Sequence, residues 1–177
     1  PMAPILERVD HIHVFVSDRA ASEQWYAKVM GFRRVKDLEF WATDGGPLTI
    51  ANPSGTIHLA LFERPAERCR STIALAADAT QFAAWRAHLS ELLARSIEPV
   101  DHQLSWSLYF TDPDGNPFEI TSYDYAALAS KLAEQAAREI GDGTAVFAGD
   151  LTADGVVDAL VQTAVESFGQ LDIVVNN

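Results

Sequence analysis

The chain has 177 residues, 48% of them hydrophobic, with ten Gly and eight Pro, so it can bury a sizeable core and lacks the signature of disorder or low complexity. Thirteen Lys and Arg stand against 25 Asp and Glu, a formal net charge of −12 with no basic run, which argues against nucleic acid and anionic membrane surfaces as partners. No apolar stretch approaches the ~20 residues that span a bilayer, and Pro1-Met2-Ala3-Pro4 lacks the features of a secretory signal, so the expected location is the cytoplasm.

Residues 9–17 alternate with period two and read as a strand, with Ile12, Val14 and Val16 on one face and His11, His13 and Phe15 on the other. Ser17-Asp18 can cap a following helix whose Ala21, Trp25 and Val29 share a face and which Gly31 stops. Short β-like runs follow at 33–42, 47–51 and 56–63, punctuated by Asp44-Gly45-Gly46 and Asn52-Pro53-Ser54-Gly55. The order then repeats: a strand at 71–77, a helix at 79–95, and strands at 98–104, 106–111 and 117–122, the last two joined by Asp112-Pro113-Asp114-Gly115.

This predicts an α+β protein of two βαβββ modules over residues 1–125. With one helix covering each sheet, the other sheet faces form a curved cup. From about Ala126 the texture changes to helix, strand, helix, strand, an incomplete α/β, Rossmann-like fragment over 126–177.

The apolar face of each strand is expected under the helices, which turns the opposite face into the cup. Ile57, Leu59 and Leu61 go to the core and His58, Ala60 and Phe62 to the cup; Leu108 and Phe110 go inward and leave Ser107 and Tyr109; Phe118 and Ile120 leave Glu119 and Thr121. The cup is thus predicted to hold His11, His13, His58, Tyr109 and Glu119, with His102 as an addition. Cys69 is the single cysteine, so a metal would have to be held by His and carboxylates. Two imidazoles and a carboxylate bind a divalent first-row metal and leave positions open for substrate, suiting Fe, Mn, Ni, Co or Zn better than Ca or Mg. The alternative for each residue is an ordinary satisfied polar side chain; His13 also suits a substrate contact, His88 is expected to face solvent, Trp25 and Trp85 to serve the core, and Cys69 to be a bystander thiol.

Val9-Asp10-His11-Ile12, the helix with Trp25-Tyr26 ending in Met30-Gly31-Phe32, and the stretch Ser107 to Glu119 resemble the vicinal oxygen chelate superfamily of glyoxalases, fosfomycin- and bleomycin-resistance proteins and extradiol dioxygenases, over residues 7–125. His102, Tyr109 and Glu119 also fall at the spacings of the extradiol dioxygenase signature. The resemblance implies His11 and Glu119 as metal ligands, and His102 and Tyr109 as substrate-facing acid/base or hydrogen-bonding groups; His13 is a further candidate to move a proton. Thr72 stands where those relatives open a strand with a ligating His, and His58, at a position from which glyoxalase I contributes a ligand, completes the set His11, His58 and Glu119. The activity implied is metal-dependent action on a small oxygen-chelating substrate, dioxygenase-like or glyoxalase-like, in a homodimer. The alternative is metal-free sequestration of a small molecule, of the bleomycin-resistance kind; an acidic chain suits a cationic ligand, and Trp25, Trp41, Trp85 and Trp106 are candidate stacking surfaces.

Gly149-Asp150-Leu151-Thr152 and Phe168 to Asn177 resemble the short-chain dehydrogenase/reductase family. With no glycine-rich phosphate loop and no Tyr-x-x-x-Lys in the chain, neither cofactor phosphates nor a catalytic acid are provided for, and no dehydrogenase activity is expected. The tail is expected to pack on the first domain, pair in a partner chain or remain mobile.

Overall fold

The structure is a computed structural model in which residues 8–140 and 154–169 are described. The chain divides into two compact units, Pro1–Ser122 and Tyr123–Asn177.

In the first unit, β1 (Ile12–Val16) leads into α1 (Arg19–Val29), then β2 (Arg33–Arg34), β3 (Leu48–Ala51) and β4 (His58–Glu63). The second module repeats the order with β5 (Ile73–Ala76), α2 (Ala79–Leu92), β6 (Val100–Asp101), β7 (Trp106–Thr111) and β8 (Pro117–Ser122). Each module makes a four-stranded sheet of the same topology, β1-β4-β3-β2 and β5-β8-β7-β6, in which the first strand pairs parallel with the last and the others pair antiparallel.

Local chemistry explains the boundaries. Asp18 caps α1 by accepting from Ala21 N at 3.0 Å, and Asp78 caps α2 by accepting from Thr80 N and Gln81 N. Gly31, at φ +72°, turns the chain out of α1 so that Phe32 N can return to Tyr26 O. The expected strand at 33–42 is only two residues long, although β3 runs on past the partner of Arg34 to Leu48. After Val35 N reaches Thr49 O, the chain closes i→i+3 bonds on itself as a 3₁₀ helix over Lys36–Trp41. The expected strand at 98–104 is likewise cut to Val100–Asp101, since Asp101 Oδ1 captures Gln103 N and Gln103 adopts φ +68°. The helix expected to run to residue 95 ends at Leu92, with Ala94 in the left-handed region.

The core is the set of strand faces expected inside: Val14, Val16, Leu59, Leu61, Leu108, Phe110, Phe118 and Ile120 are all buried. The buried stripe of α1 corrects the expectation by one residue: Ser22, Tyr26 and Val29 face inward, while Ala21 is exposed and Trp25 is half-buried, edge-on to Tyr26 at 5.1 Å. Tyr26 wins that place because its hydroxyl finds a buried acceptor in Asp112 at 2.7 Å. His88 does not face solvent freely either; it is half-buried and its Nε2 donates to Val29 O at 2.8 Å.

Side chains tie the modules together. Asn116 Nδ2 donates to Phe15 O at 2.8 Å and to Asp112 Oδ2 at 2.7 Å, while Asn116 Oδ1 accepts from Cys69 N at 2.9 Å. The Cys69 thiol adds a donor to His13 O at 3.5 Å.

The second unit contains α3 (Tyr125–Ile140) and α4 (Val156–Phe168). The strands expected near 144–150 and 171–177 lie outside the described residues. Among the described residues, no helix is long and apolar enough to cross a membrane.

Candidate functional site

The first sheet builds a cavity of about 420 Å³ on the face opposite Val14, Leu59 and Leu61. The register sets His13 beside Ala60 and Ala60 beside Thr49, with His58 opposite Ala51, so the period-two face carries imidazoles at the mouth and small residues at its floor. Asp10, His11, His13, Trp41, His58 and Phe62 are among the lining residues.

These groups are coupled. Asp10 Oδ2 lies 2.8 Å from His11 Nδ1, and His11 Nε2 lies 3.1 Å from His13 Nε2, with the two rings stacked at 5.1 Å. The hydrogen bond to His11 holds the Asp10 carboxyl below the ordinary carboxylate range. Asp10, as an acceptor, takes the Nδ1 proton of His11, which leaves His11 Nε2 shared with His13 Nε2. Asp10 therefore orients His11 as an outer carboxylate orients a ligating imidazole, and His13 contacts the nitrogen that His11 would offer to a ligand. His13 also packs against Phe62 with centroids 4.6 Å apart.

The second sheet presents its own polar face. Tyr109 pairs with Glu119 and Ser107 with Thr121 across β7 and β8. Ser107 donates to Glu119 Oε1 at 2.6 Å, fixing the carboxylate, and His102 Nε2 stands 3.1 Å from the Tyr109 hydroxyl. The turn that delivers His102 is closed by His102 N to Ser105 O at 2.9 Å.

The expected residues thus fall into two groups, with His11, His13 and His58 on one sheet and His102, Tyr109 and Glu119 on the other. Glu119 is not among the residues lining the imidazole cavity, and among the described residues no group of three His, Cys, Asp or Glu is placed to hold a metal ion. The donor types of His11, His58 and Glu119 suit a first-row divalent metal, but one chain does not assemble them into a site. Thr72, just before β5, is exposed.

Two participants were missed in the sequence as site residues. Asp10 precedes β1, so its side chain is not bound by strand alternation and can turn toward that of its neighbour His11. Ser107 was placed in the cup, but its grip on Glu119 runs diagonally across the β7–β8 pair, which alternation alone does not reveal.

The profile of the Glyoxalase/Bleomycin resistance protein/Dioxygenase superfamily matches residues 8–120, and the chain belongs to that superfamily. Solved structures share the fold at low identity. An integron cassette protein from the mobile metagenome of the Halifax Harbour sewage outfall is 19% identical, with 66% of this chain and 99% of that one covered and a TM-score of 0.56. A superfamily member from Sphaerobacter thermophilus is 20% identical over 66% of this chain and 98% of its own, with a TM-score of 0.53. The fosfomycin resistance protein FosX from Listeria monocytogenes, complexed with Mn(II) and sulfate, is 14% identical over 72% of this chain and 99% of its own, with a TM-score of 0.51. No curated relative matches the chain.

Proposed function

We propose that the protein is an enzyme of the vicinal oxygen chelate type that acts on a small oxygen-bearing molecule. In this reading, a homodimer sets the first sheet of one chain against the second sheet of another. Supporting it is the division of the site into complementary halves, the exposed His11 and half-buried His58 at a cavity on one sheet and a carboxylate pre-oriented by Ser107 on the other. His11, once His13 gives up its Nε2, together with His58 and the partner's Glu119 would then be the ligands of a divalent metal, a donor set that suits Fe, Mn, Ni, Co or Zn. Asp10 orients His11. The His102 and Tyr109 pair, in hydrogen-bond contact, holds and transfers a proton at the rim.

The test is complementation. Metal content is measured after anaerobic loading for the wild type, for His58→Ala, for Glu119→Ala, and for the two variants unfolded together and refolded as a mixture. Each variant alone should lose its metal, and the mixture should recover about a quarter of the wild-type content, because half of randomly formed dimers carry one intact composite site of two. No recovery, with both variants folded and dimeric, would rule the composite site out.

Metal-free sequestration is favoured by a separate observation, the exposed Thr72 at the place where relatives carry a ligating His, and would appear as a wild type that retains no metal yet binds ligand in the imidazole cavity.

A further inference from the structure

Trp41 lines the imidazole cavity while remaining 48% exposed, and Phe40 beside it is 66% exposed. A large aromatic ring left in water on the wall of a cavity floored by Ala60 and Thr49, with a second exposed ring beside it, calls for an occupant. They do not hang on a loose loop. The 3₁₀ helix carrying them is tied to β3 by Val35 N to Thr49 O, and its Glu39 reaches Arg34 at 3.7 Å, which in turn grips Glu23 of α1. Behind Trp41 the chain folds back so tightly that a Cβ at Gly46 would sit 2.0 Å from the Trp41 carbonyl oxygen, and Arg19 Nη1 holds the Gly46 carbonyl at 2.6 Å. Phe40 braces the indole edge-on at 5.4 Å.

The remaining walls match. Phe62 and the stacked His11 and His13 rings give the cavity further π-faces, while Asp10 and His58 offer hydrogen-bonding groups. A flat ring gains from such walls in a way that a puckered hydrocarbon of equal bulk does not, because offset stacking needs a planar π-face.

We infer that the ligand of this cavity is a planar aromatic molecule carrying an oxygen substituent, its ring stacked on Trp41 and its oxygen turned to the imidazoles. Gly46 acts as the positioning residue that keeps the indole in place. The inference rests on the small-molecule reading of this cavity, and it does not depend on metal.

The experiment titrates the full chain, with chelator present, by calorimetry against 2-naphthol and against its saturated counterpart decahydro-2-naphthol. Wild type should bind 2-naphthol the more tightly. Trp41→Ala should weaken 2-naphthol roughly five- to tenfold and leave the saturated probe nearly unchanged, whereas Trp41→Phe should retain most of the affinity. Gly46→Ala, which keeps the indole but displaces its backbone, should reproduce the loss seen in Trp41→Ala, with circular dichroism confirming the fold. Equal weakening of both probes in Trp41→Ala would show an apolar wall without stacking and overturn the inference, as would a wild type that binds neither probe. Those failures leave the metal complementation result standing. Conversely, failed complementation with selective naphthol binding would remove the composite metal site and keep the aromatic one.

Discussion

Tyr26 of α1 donates its phenolic hydrogen to Asp112 Oδ2, at the β7–β8 turn of the other module, across 2.7 Å, and both residues are buried. Asp112 is fully engaged: its second oxygen accepts from the backbone of Asp114 and Asn116, and Asn116 Nδ2 shares Oδ2 with Tyr26. The Asp-Pro-Asp-Gly turn, which reads in sequence as a chain reversal, is therefore also the seat of the contact between modules.

Tyr26→Phe should lower stability by roughly 1.5–3 kcal/mol, because a buried carboxylate loses a donor that water cannot replace. Chemical denaturation checks this. The pH dependence has a definite sign. Burial first, and then the Asp112 charge, push the Tyr26 hydroxyl well above its ordinary value of 10.0, so the protonated form is the one that folding favours. Its contribution is complete below pH 10 and declines as pH rises beyond that value, where the unfolded chain ionises and the folded one does not. Wild type should lose stability in that alkaline range, and Tyr26→Phe should lose less.

Ser107→Ala removes the 2.6 Å donor to Glu119. Because Glu119 is only half-buried and solvent can take over the bond, the expected cost in stability is about 1 kcal/mol. If Glu119 ligates a metal, the same change should weaken metal affinity about tenfold through lost orientation of the carboxylate. A denaturation curve and a competitive chelator titration separate the two effects.

Ala94 sits at φ +51° just beyond α2, a conformation that costs a side chain about 1–2 kcal/mol. Ala94→Gly relieves that cost and loosens the unfolded chain by about 0.4–1 kcal/mol, for a net gain of roughly 0.5 kcal/mol. A raised melting temperature would support this, and a lowered one would mean that the methyl group packs usefully.

The sequence made the strand faces legible. Alternation placed His58 opposite in sense to Leu59 and Leu61, and Glu119 opposite to Phe118 and Ile120, and the burial of those residues follows the same division. It also located β7 and β8 to the residue, because Pro113 and Gly115 bracket them with a turn. Helix faces were less legible. The choice between Trp25 and Tyr26 as the buried aromatic of α1 depends on an acceptor 86 residues away, which no local pattern encodes. Strand ends failed where the chain turned to bond with itself, as in the 3₁₀ helix after Val35. Of the candidate site, the members of each sheet face could be read from period two, but which faces meet is a question of how modules associate, and alternation carries no information about it.

The outer edge of β1 ends at side chains rather than at another backbone: the carbonyls of His13 and Phe15 are taken by the Cys69 thiol and the Asn116 amide. A strand whose outward acceptors are already spoken for is a poor template for a foreign strand, so crowded copies of this chain are denied one route to runaway sheet growth. Asn116→Ala would reopen it, and concentrated samples of that variant should precipitate in a cross-β form that wild type avoids.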